Sequence, residues 1–274
     1  MEIRKAIIPA AGYGTRSLPI TKVLPKEMFP VAGKPAIHHI VEEASLAGIN
    51  EILIVVSRNK NMILDYFDRS LELEAFLAMN NKEYLLEQTV LPDVHIQYVR
   101  QPFARGLGDA VLLGERFAGS APFAVLLPDD LFVSSEKPAV SQVLDAFTLT
   151  GSNIVGVQKA PHEELHQYGV AAPASPGPKG SVFALGDLVE KPKKNPPSNL
   201  AVCGRYAFTP EIFSYLKNGK PGAGGEIQLT DAMKSMLGEH PYSAVVIEGE
   251  RFDLGKEDDY YRAIAWHLNR RNGS

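Results

Sequence analysis

Residues 7–35 read IIPAAGYGTRSLPITKVLPKEMFPVAGKP, and this stretch decides the fold. Ala6, Ile7 and Ile8 form a short apolar run that predicts a buried strand. From Pro9 to Arg16 small residues, two glycines and an arginine replace it, as in a loop that touches an anion. Glycine lets backbone approach a ligand closely and adopt positive φ, so successive N–H groups can converge on phosphate oxygens. Arg16 adds a planar, permanently charged donor fork, and Lys22 and Lys26 bring two more cations to the same segment. A triphosphate is the ligand expected to occupy all of them.

Working outward, residues 36–47 have helical apolar spacing and stop at Gly48, and residues 51–57 are a β-branched run suited to a strand buried on both faces. Strand, loop, helix, strand is a βαβ unit, with its loop at the carboxyl end of the first strand, where open α/β sheets bind ligands. The expected fold class is therefore α/β, a Rossmann-like three-layer α/β/α sandwich with a mixed, mostly parallel sheet.

Further along, residues 61–86 read as helical, 94–99 as a strand, and 101–110 as a second glycine-bearing loop leading into a helix over 110–117. Residues 123–127 predict a third buried strand ending in Pro128, Asp129 and Asp130. Two carboxylates there imply a compensating cation if they are buried. Strands are expected at 153–159, 182–190 and 200–208, with a turn or hairpin tip over 171–180. Residues 191–198 are a basic, proline-broken loop whose charges suit a solvated face. Helices over 210–216 and 231–237, a strand over 244–247 and a helix over 258–269 complete the chain, with a frayed tail.

Composition narrows the function classes. The 274 residues carry a formal net charge of −4, which gives no global basic field for duplex nucleic acid or an anionic membrane. The single cysteine, Cys203, excludes an intramolecular disulfide and reads as a small buried hydrophobe. Without a signal peptide pattern or a spanning apolar stretch, the expectation is a cytoplasmic protein. His38, His39, His162 and His166 lack metal-ligand spacing and are expected to be structural or solvated. Neither a nucleophile elbow nor a zinc pattern occurs.

On its own the Gly12-Tyr13-Gly14 turn is a weak signal. Its spacing fits neither a dinucleotide fingerprint nor a P-loop. The continuation is more specific. GxGTR over 12–16 followed by TKxLPKEMFPVAGKP over 21–35 resembles the opening signature of the sugar-phosphate nucleotidylyltransferases, and within them the branch that uses UTP and glucose 1-phosphate. The likeness runs on in order through Tyr66 to Asp68, Arg100-Gln101-Pro102, Gly106 to Gly108, Leu127 to Asp129, Tyr168-Gly169, Val189 to Pro192, Gly204 to Tyr206, Gly224 to Asp231 and Asp253 to Gly255.

The resemblance implies a single nucleotidyltransferase domain over 1–274, with a nucleotide-binding half of about 1–135 and a sugar-binding half of about 136–274. It implies UTP and glucose 1-phosphate as substrates, UDP-glucose and pyrophosphate as products, Mg2+ as cofactor, and a homodimer or homotetramer. Arg16, Lys26 and Lys191 would be catalytic. Ala11, Gly12, Gly14, Thr15, Gln101, Gly106 and Gly108 would bind the nucleotide, with the Gln101 amide offering a donor and an acceptor to the uracil edge. Gly169, Glu190, Lys191, Gly204 and Glu226 would bind the sugar, and Asp129 and Asp253 the metal.

Structural roles remain open beside these: a loop-capping Gln101, an exposed Glu190–Lys191 ion pair, ordinary turns at Gly169 and Gly204, a first-turn acid at Glu226, and a helix cap or surface carboxylate at Asp130. Glu190 and Lys191 are adjacent on a strand and serve one ligand only if the chain bends, which Pro192 favours. The rivals in function are a thymidylyltransferase for the same sugar phosphate and a non-catalytic nucleotide-sugar binder. The former usually has Ser-Lys-Gln where Pro25-Lys26-Glu27 stands, and Gly-Asp where Pro128-Asp129 stands.

Overall fold

Alternate residues of the first strand, β1 (Lys5–Ala10), feed two separate cores. Ile7 packs with Val55, Val125, Phe213 and Met233, and Ile8 with Ile37, Ile54, Val143 and Phe147. A strand reads this way when both faces of its sheet are covered, and each fully buried side chain of this size contributes about 1.5–3 kcal/mol. The computed structural model describes residues 2–134, 136–175, 180–222 and 225–272.

After β1 come a two-residue hairpin, β2 (Pro30–Val31) and β3 (Lys34–Pro35), then α1 (Ala36–Leu46), β4 (Glu51–Val56), α2 (Asn61–Phe67), α3 (Leu71–Met79) and β5 (His95–Arg100). Next are α4 (Leu107–Leu112), α5 (Glu115–Ala118), β6 (Phe123–Leu126), β7 (Asp130–Val133), α6 (Ala139–Thr150) and β8 (Asn153–Lys159). The remainder comprises β9 (Gly169–Pro173), β10 (Val182–Glu190), β11 (Leu200–Phe208), α7 (Ile212–Asn218), α8 (Leu229–Leu237), β12 (Tyr242–Val246), β13 (Glu250–Asp253) and α9 (Glu257–Asn272).

Nine strands form one mixed sheet in the order β5-β4-β1-β6-β11-β8-β12-β10-β9. The pairings of β1 with β4 and β6, and of β4 with β5, are parallel, as a βαβ unit requires. Only β10 and β11 run against the other strands of this sheet. The last strand, β9, folds back to pair also with Leu200 and Ala201 of β11. Helices α4, α7 and α8 supply one core, and α1, α2 and α6 the other. β7 and β13 pair apart from the main sheet and, with α9, build a third small core around Phe252.

Several expected boundaries shift for local reasons. The helical stretch 61–86 divides into α2, α3 and a 3₁₀ run (Glu83–Thr89), with α3 restarted where the Ser70 hydroxyl caps the Leu73 N–H. The helix over 110–117 splits at Gly114, where a Cβ would lie 2.2 Å from Ile7 Cδ1. α1 ends as expected, with Gly48 at φ +84° and the Ile49 N–H donating to the Ala44 carbonyl. The turn expected over 171–180 is corrected at its start, where residues 171–173 belong to β9 and pair antiparallel with β10; residues 176–179 lie outside the described ones. The frayed tail is corrected as far as Asn272, which α9 includes; residues 273–274 lie outside. β2, β3, β7, β9, β13 and α6 had no counterpart among the expected elements. Among the described residues no helix is long and apolar enough to cross a membrane.

Candidate active site

The carboxyl ends of β1, β4 and β6 lie side by side, so the loops that leave them share one rim of the sheet. The loop after β1 turns at Gly14, whose φ of 65° is left-handed and whose missing Cβ would sit 3.0 Å from Thr21 Cγ2. The Thr21 hydroxyl donates to the Gly14 carbonyl at 2.9 Å and holds the turn. Gly12 has open space where its Cβ would be. Among the described residues the N–H groups of Gly12, Tyr13 and Gly14 have no hydrogen-bond partner. They border a cavity of about 320 Å³ lined by Ala11, Gly12, Gly14, Thr15, Lys26, Gln101, Gly106, Asp129 and Glu226. Free donors on a loop without bulk are what an anion needs. Lys22 is a correction: it is exposed on a 3₁₀ turn and lines no part of this cavity.

Two glycines of the second loop meet another stretch of backbone. A Cβ at Gly106 would lie 2.7 Å from the Ile227 carbonyl oxygen, and one at Gly108 2.8 Å from the same atom. The Gly108 N–H donates to Ile227 O at 2.8 Å, and the Ile227 N–H donates to Arg105 O at 2.7 Å. These glycines clasp residues 226–227 against the loop, which is how Glu226 reaches the cavity. Gly108 itself is buried in that contact and does not line it. Gln101 does, but its Nε2 donates to Asp109 Oδ2 at 2.7 Å and to the Gly106 carbonyl at 3.3 Å, so the expected free donor is already spent.

A second cavity of about 220 Å³ adjoins the first, sharing Leu107, Leu127, Asp129 and Glu226 with it. Arg16, Gly169, Glu190, Lys191, Gly204 and Asp253 line it. Lys191 has φ +43°, and this left-handed step after β10 brings its side chain round to the same cavity as that of Glu190, with Nζ 3.5 Å from Glu190 Oε1. Its N–H donates to the Tyr168 carbonyl at 3.0 Å. Gly169 opens β9 and Gly204 sits where β11 loses register against β8, so neither is an ordinary turn. A Cβ at Gly204 would lie 2.7 Å from Asp130 Oδ2. Glu226 precedes α8 by three residues and is not a first-turn acid; the Gln228 amide donates to its Oε2 at 3.2 Å. A larger trough, about 810 Å³, lies between α7 and α8, but none of the loops at the carboxyl ends of β1, β4 and β6 enters it.

The two cavities meet at a dense set of charges. Lys26 Nζ stands 2.5 Å from Asp129 Oδ2. Burial works against both charges, yet each outweighs it for the other: Asp129, with help from Glu27, raises the Lys26 pKa, and Lys26, with help from Arg16, lowers that of Asp129. Behind them Lys60 pairs with Glu27 at 2.6 Å, both buried, and burial lowers the Lys60 pKa. Burial, with the nearby Asp130 and Asp129 carboxylates, pushes Asp253 up. Asp253 Oδ2 accepts from the Tyr168 hydroxyl at 3.3 Å and faces Arg16 Nη1 at 3.8 Å.

Asp130 is neither a helix cap nor a surface carboxylate. It opens β7, is 6% exposed, and receives Arg251 Nε and Nη2 at 2.7 and 2.9 Å. Below it, the fully buried Arg205 donates from Nε and Nη2 to the two Glu43 oxygens at 3.0 and 2.7 Å, and to the Asp130 carbonyl at 2.7 Å. This bracket ties α1, β11 and the Leu127–Asp130 turn together, and fixes the turn that carries Asp129. Sequence reasoning gave no role to Glu43, Arg251 or Lys60. Burial of their charges is the only signal, and it appears only after folding.

Asp129 and Asp253 are oxygen donors beside a loop with free N–H groups, a donor set that suits a hard divalent cation. Among the described residues no three His, Cys, Asp or Glu side chains enclose a metal position. The pair fits a cation that takes its remaining ligands from phosphate oxygens and water. The histidines stay outside this chemistry: burial lowers the pKa of His38 and His39 in α1, and His162 and His166 are exposed. Cys203 is buried in β11, which pushes its thiol up to about 12.

Compared with known proteins, residues 5–270 match the family model for nucleotidyl transferases. The chain is 53% identical over 262 residues to a protein of Bacillus subtilis (strain 168), 96% of each chain being covered. It is 48% identical over 259 residues to the UTP–glucose-1-phosphate uridylyltransferase of Staphylococcus epidermidis (strain ATCC 12228 / FDA PCI 1200), covering 93% of this chain and 89% of that one. A solved UDP-glucose pyrophosphorylase complexed with UDP-glucose superposes with a TM-score of 0.86 at 40% identity, over 98% of this chain and 99% of the other.

Proposed function

The chain belongs to the nucleotidyl transferase family, and we infer that it transfers a uridylyl group from UTP to glucose 1-phosphate, leaving UDP-glucose and pyrophosphate. The observation that carries this is the junction at Asp129 and Lys26, where a cavity walled by free backbone N–H groups meets one walled by Glu190, Lys191 and Arg16. We read the architecture as a Rossmann-like three-layer sandwich forming one domain, with the nucleotide over the half of about residues 1–135 and the sugar over about 136–274.

In this reading a sugar-phosphate oxygen attacks the α-phosphorus in line and pyrophosphate leaves from the opposite side. The nucleophile is already an anion, so no general base is needed, and the difficulty is to hold two anions together. Lys26 and Arg16 neutralise the triphosphate as charge moves onto the leaving group. Lys191 holds the sugar phosphate, while Glu190 accepts hydrogen bonds from sugar hydroxyls. Gln101 meets the base. Asp129 and Asp253 would hold Mg2+, whose chemistry there is to neutralise phosphate oxygens and fix their geometry. The exposed Leu71, Phe76 and Met79 of α3 support assembly as a homodimer or homotetramer, and the substrates suit the cytoplasm.

Pyrophosphate release should be measured with glucose 1-phosphate and either UTP or dTTP. UTP is expected to be used with the higher kcat/KM. A strong dTTP preference contradicts the uridylyl assignment, and no release with either contradicts an enzyme.

A further inference from the structure

Gln101 is 5% exposed and lines the base-side cavity. A primary amide nitrogen carries two hydrogens, and here Asp109 Oδ2 at 2.7 Å and the Gly106 carbonyl at 3.3 Å take both. Its Oε1 accepts nothing from the described residues and is not sealed from solvent, which leaves it open to the cavity. Asp109 is 2% exposed on the first turn of α4, and its other oxygen accepts from Arg105 Nη2 at 2.7 Å. Its carboxylate, clamped by a guanidinium, offers acceptors and no donor. Were the Gln101 amide to turn over, Oε1 would face Oδ2 and a buried hydrogen bond would be exchanged for a repulsion. Gln101 therefore presents only an acceptor to the base.

Uracil and thymine carry an N–H at N3, which this acceptor suits, whereas cytosine carries a bare nitrogen there. We propose that Asp109 is a positioning residue that sets the hydrogen-bond polarity of Gln101, and through it the preference for an imide-bearing pyrimidine over cytosine. The inference rests on Gln101 meeting the base in the function given above. An asparagine at 109 would leave only the longer Gly106 contact opposing the turn, because its amide can donate to Oε1 and let Gln101 present its N–H to N3 of cytosine.

The test compares kcat/KM for UTP, CTP and N3-methyl-UTP, with glucose 1-phosphate, in the parent and in Asp109→Asn and Asp109→Ala. The parent should favour UTP over both other nucleotides by about a hundredfold or more, as a site built for one hydrogen bond does. In either variant the UTP-to-CTP ratio should fall about tenfold or more, a change equivalent to one hydrogen bond. Asp109→Ala keeps the test alive if the asparagine variant does not fold. N3-methyl-UTP used as readily as UTP by the parent overturns the base-reading role of Gln101, and this proposal with it. A parent that rejects it, beside variants that lose UTP and CTP activity in equal proportion, overturns the role of Asp109 alone.

Discussion

The cavity beside the Gly12–Gly14 loop has free backbone N–H groups in its wall, whereas the cavity beside Glu190 is walled by side chains on long-range supports. In the first, the loop from Ala11 to Thr15 leaves N–H groups free and needs one left-handed glycine, Gly14, to do so. In the second, Arg16, the adjacent Glu190 and Lys191, and Asp253 come from three distant segments, and the turn beside them is anchored by Arg205 reaching Glu43 across 162 residues. A backbone-lined site depends on local conformation and tolerates little added bulk. A site made of side chains depends on whichever buried charges hold its supports in register.

The largest contrast is in stability. Glu43→Gln removes the charge that compensates the fully buried Arg205 and should cost about 3–5 kcal/mol, measured as a urea unfolding midpoint. A loss below about 1 kcal/mol, the scale of a surface pair, would mean that the bracket supports nothing. Next, Glu190→Gln should raise KM for glucose 1-phosphate by about 10–100-fold, the value of a hydrogen bond to a charged group, with KM for UTP unmoved. Equal rises in both constants would break the division between the cavities. The smallest effects separate two neighbouring glycines. Gly14→Ala should cost about 1–2 kcal/mol, because φ is 65° there. Gly12→Ala should leave the unfolding midpoint in place and raise KM for UTP, because its Cβ would enter open space beside the free N–H groups.

The same contrast governs what could be read from the chain. The Gly12–Arg16 loop, the strand before it and the βαβ unit were legible because each lies in one contiguous stretch with its own period or spacing. Glu190 and Lys191 were legible only as adjacent residues, and the left-handed φ of Lys191 supplies the bend that Pro192 had suggested. The contact of Gly108 with Ile227 was not legible, because a glycine that admits a ligand and one that admits another backbone look alike in sequence. Asp130 was misread because its partner, Arg251, is 121 residues away. Helix α6 could have been found, since Val140, Val143 and Phe147 recur at helical spacing. Gly224, part of the quoted likeness, lies outside the described residues.

Asp129 is where the two regions touch, paired with Lys26 and shared by both cavities. The most direct test is kcat for pyrophosphate release by Asp129→Asn at saturating UTP and glucose 1-phosphate. The variant keeps an acceptor for Lys26, and this pair is more exposed than that of Arg205 with Glu43, so its stability cost should be smaller and the fold should persist. A kcat lowered by about a thousandfold, the scale of losing a group that stabilises developing charge, is expected of the folded variant; a kcat within about threefold of the parent, well under one such interaction, would contradict it.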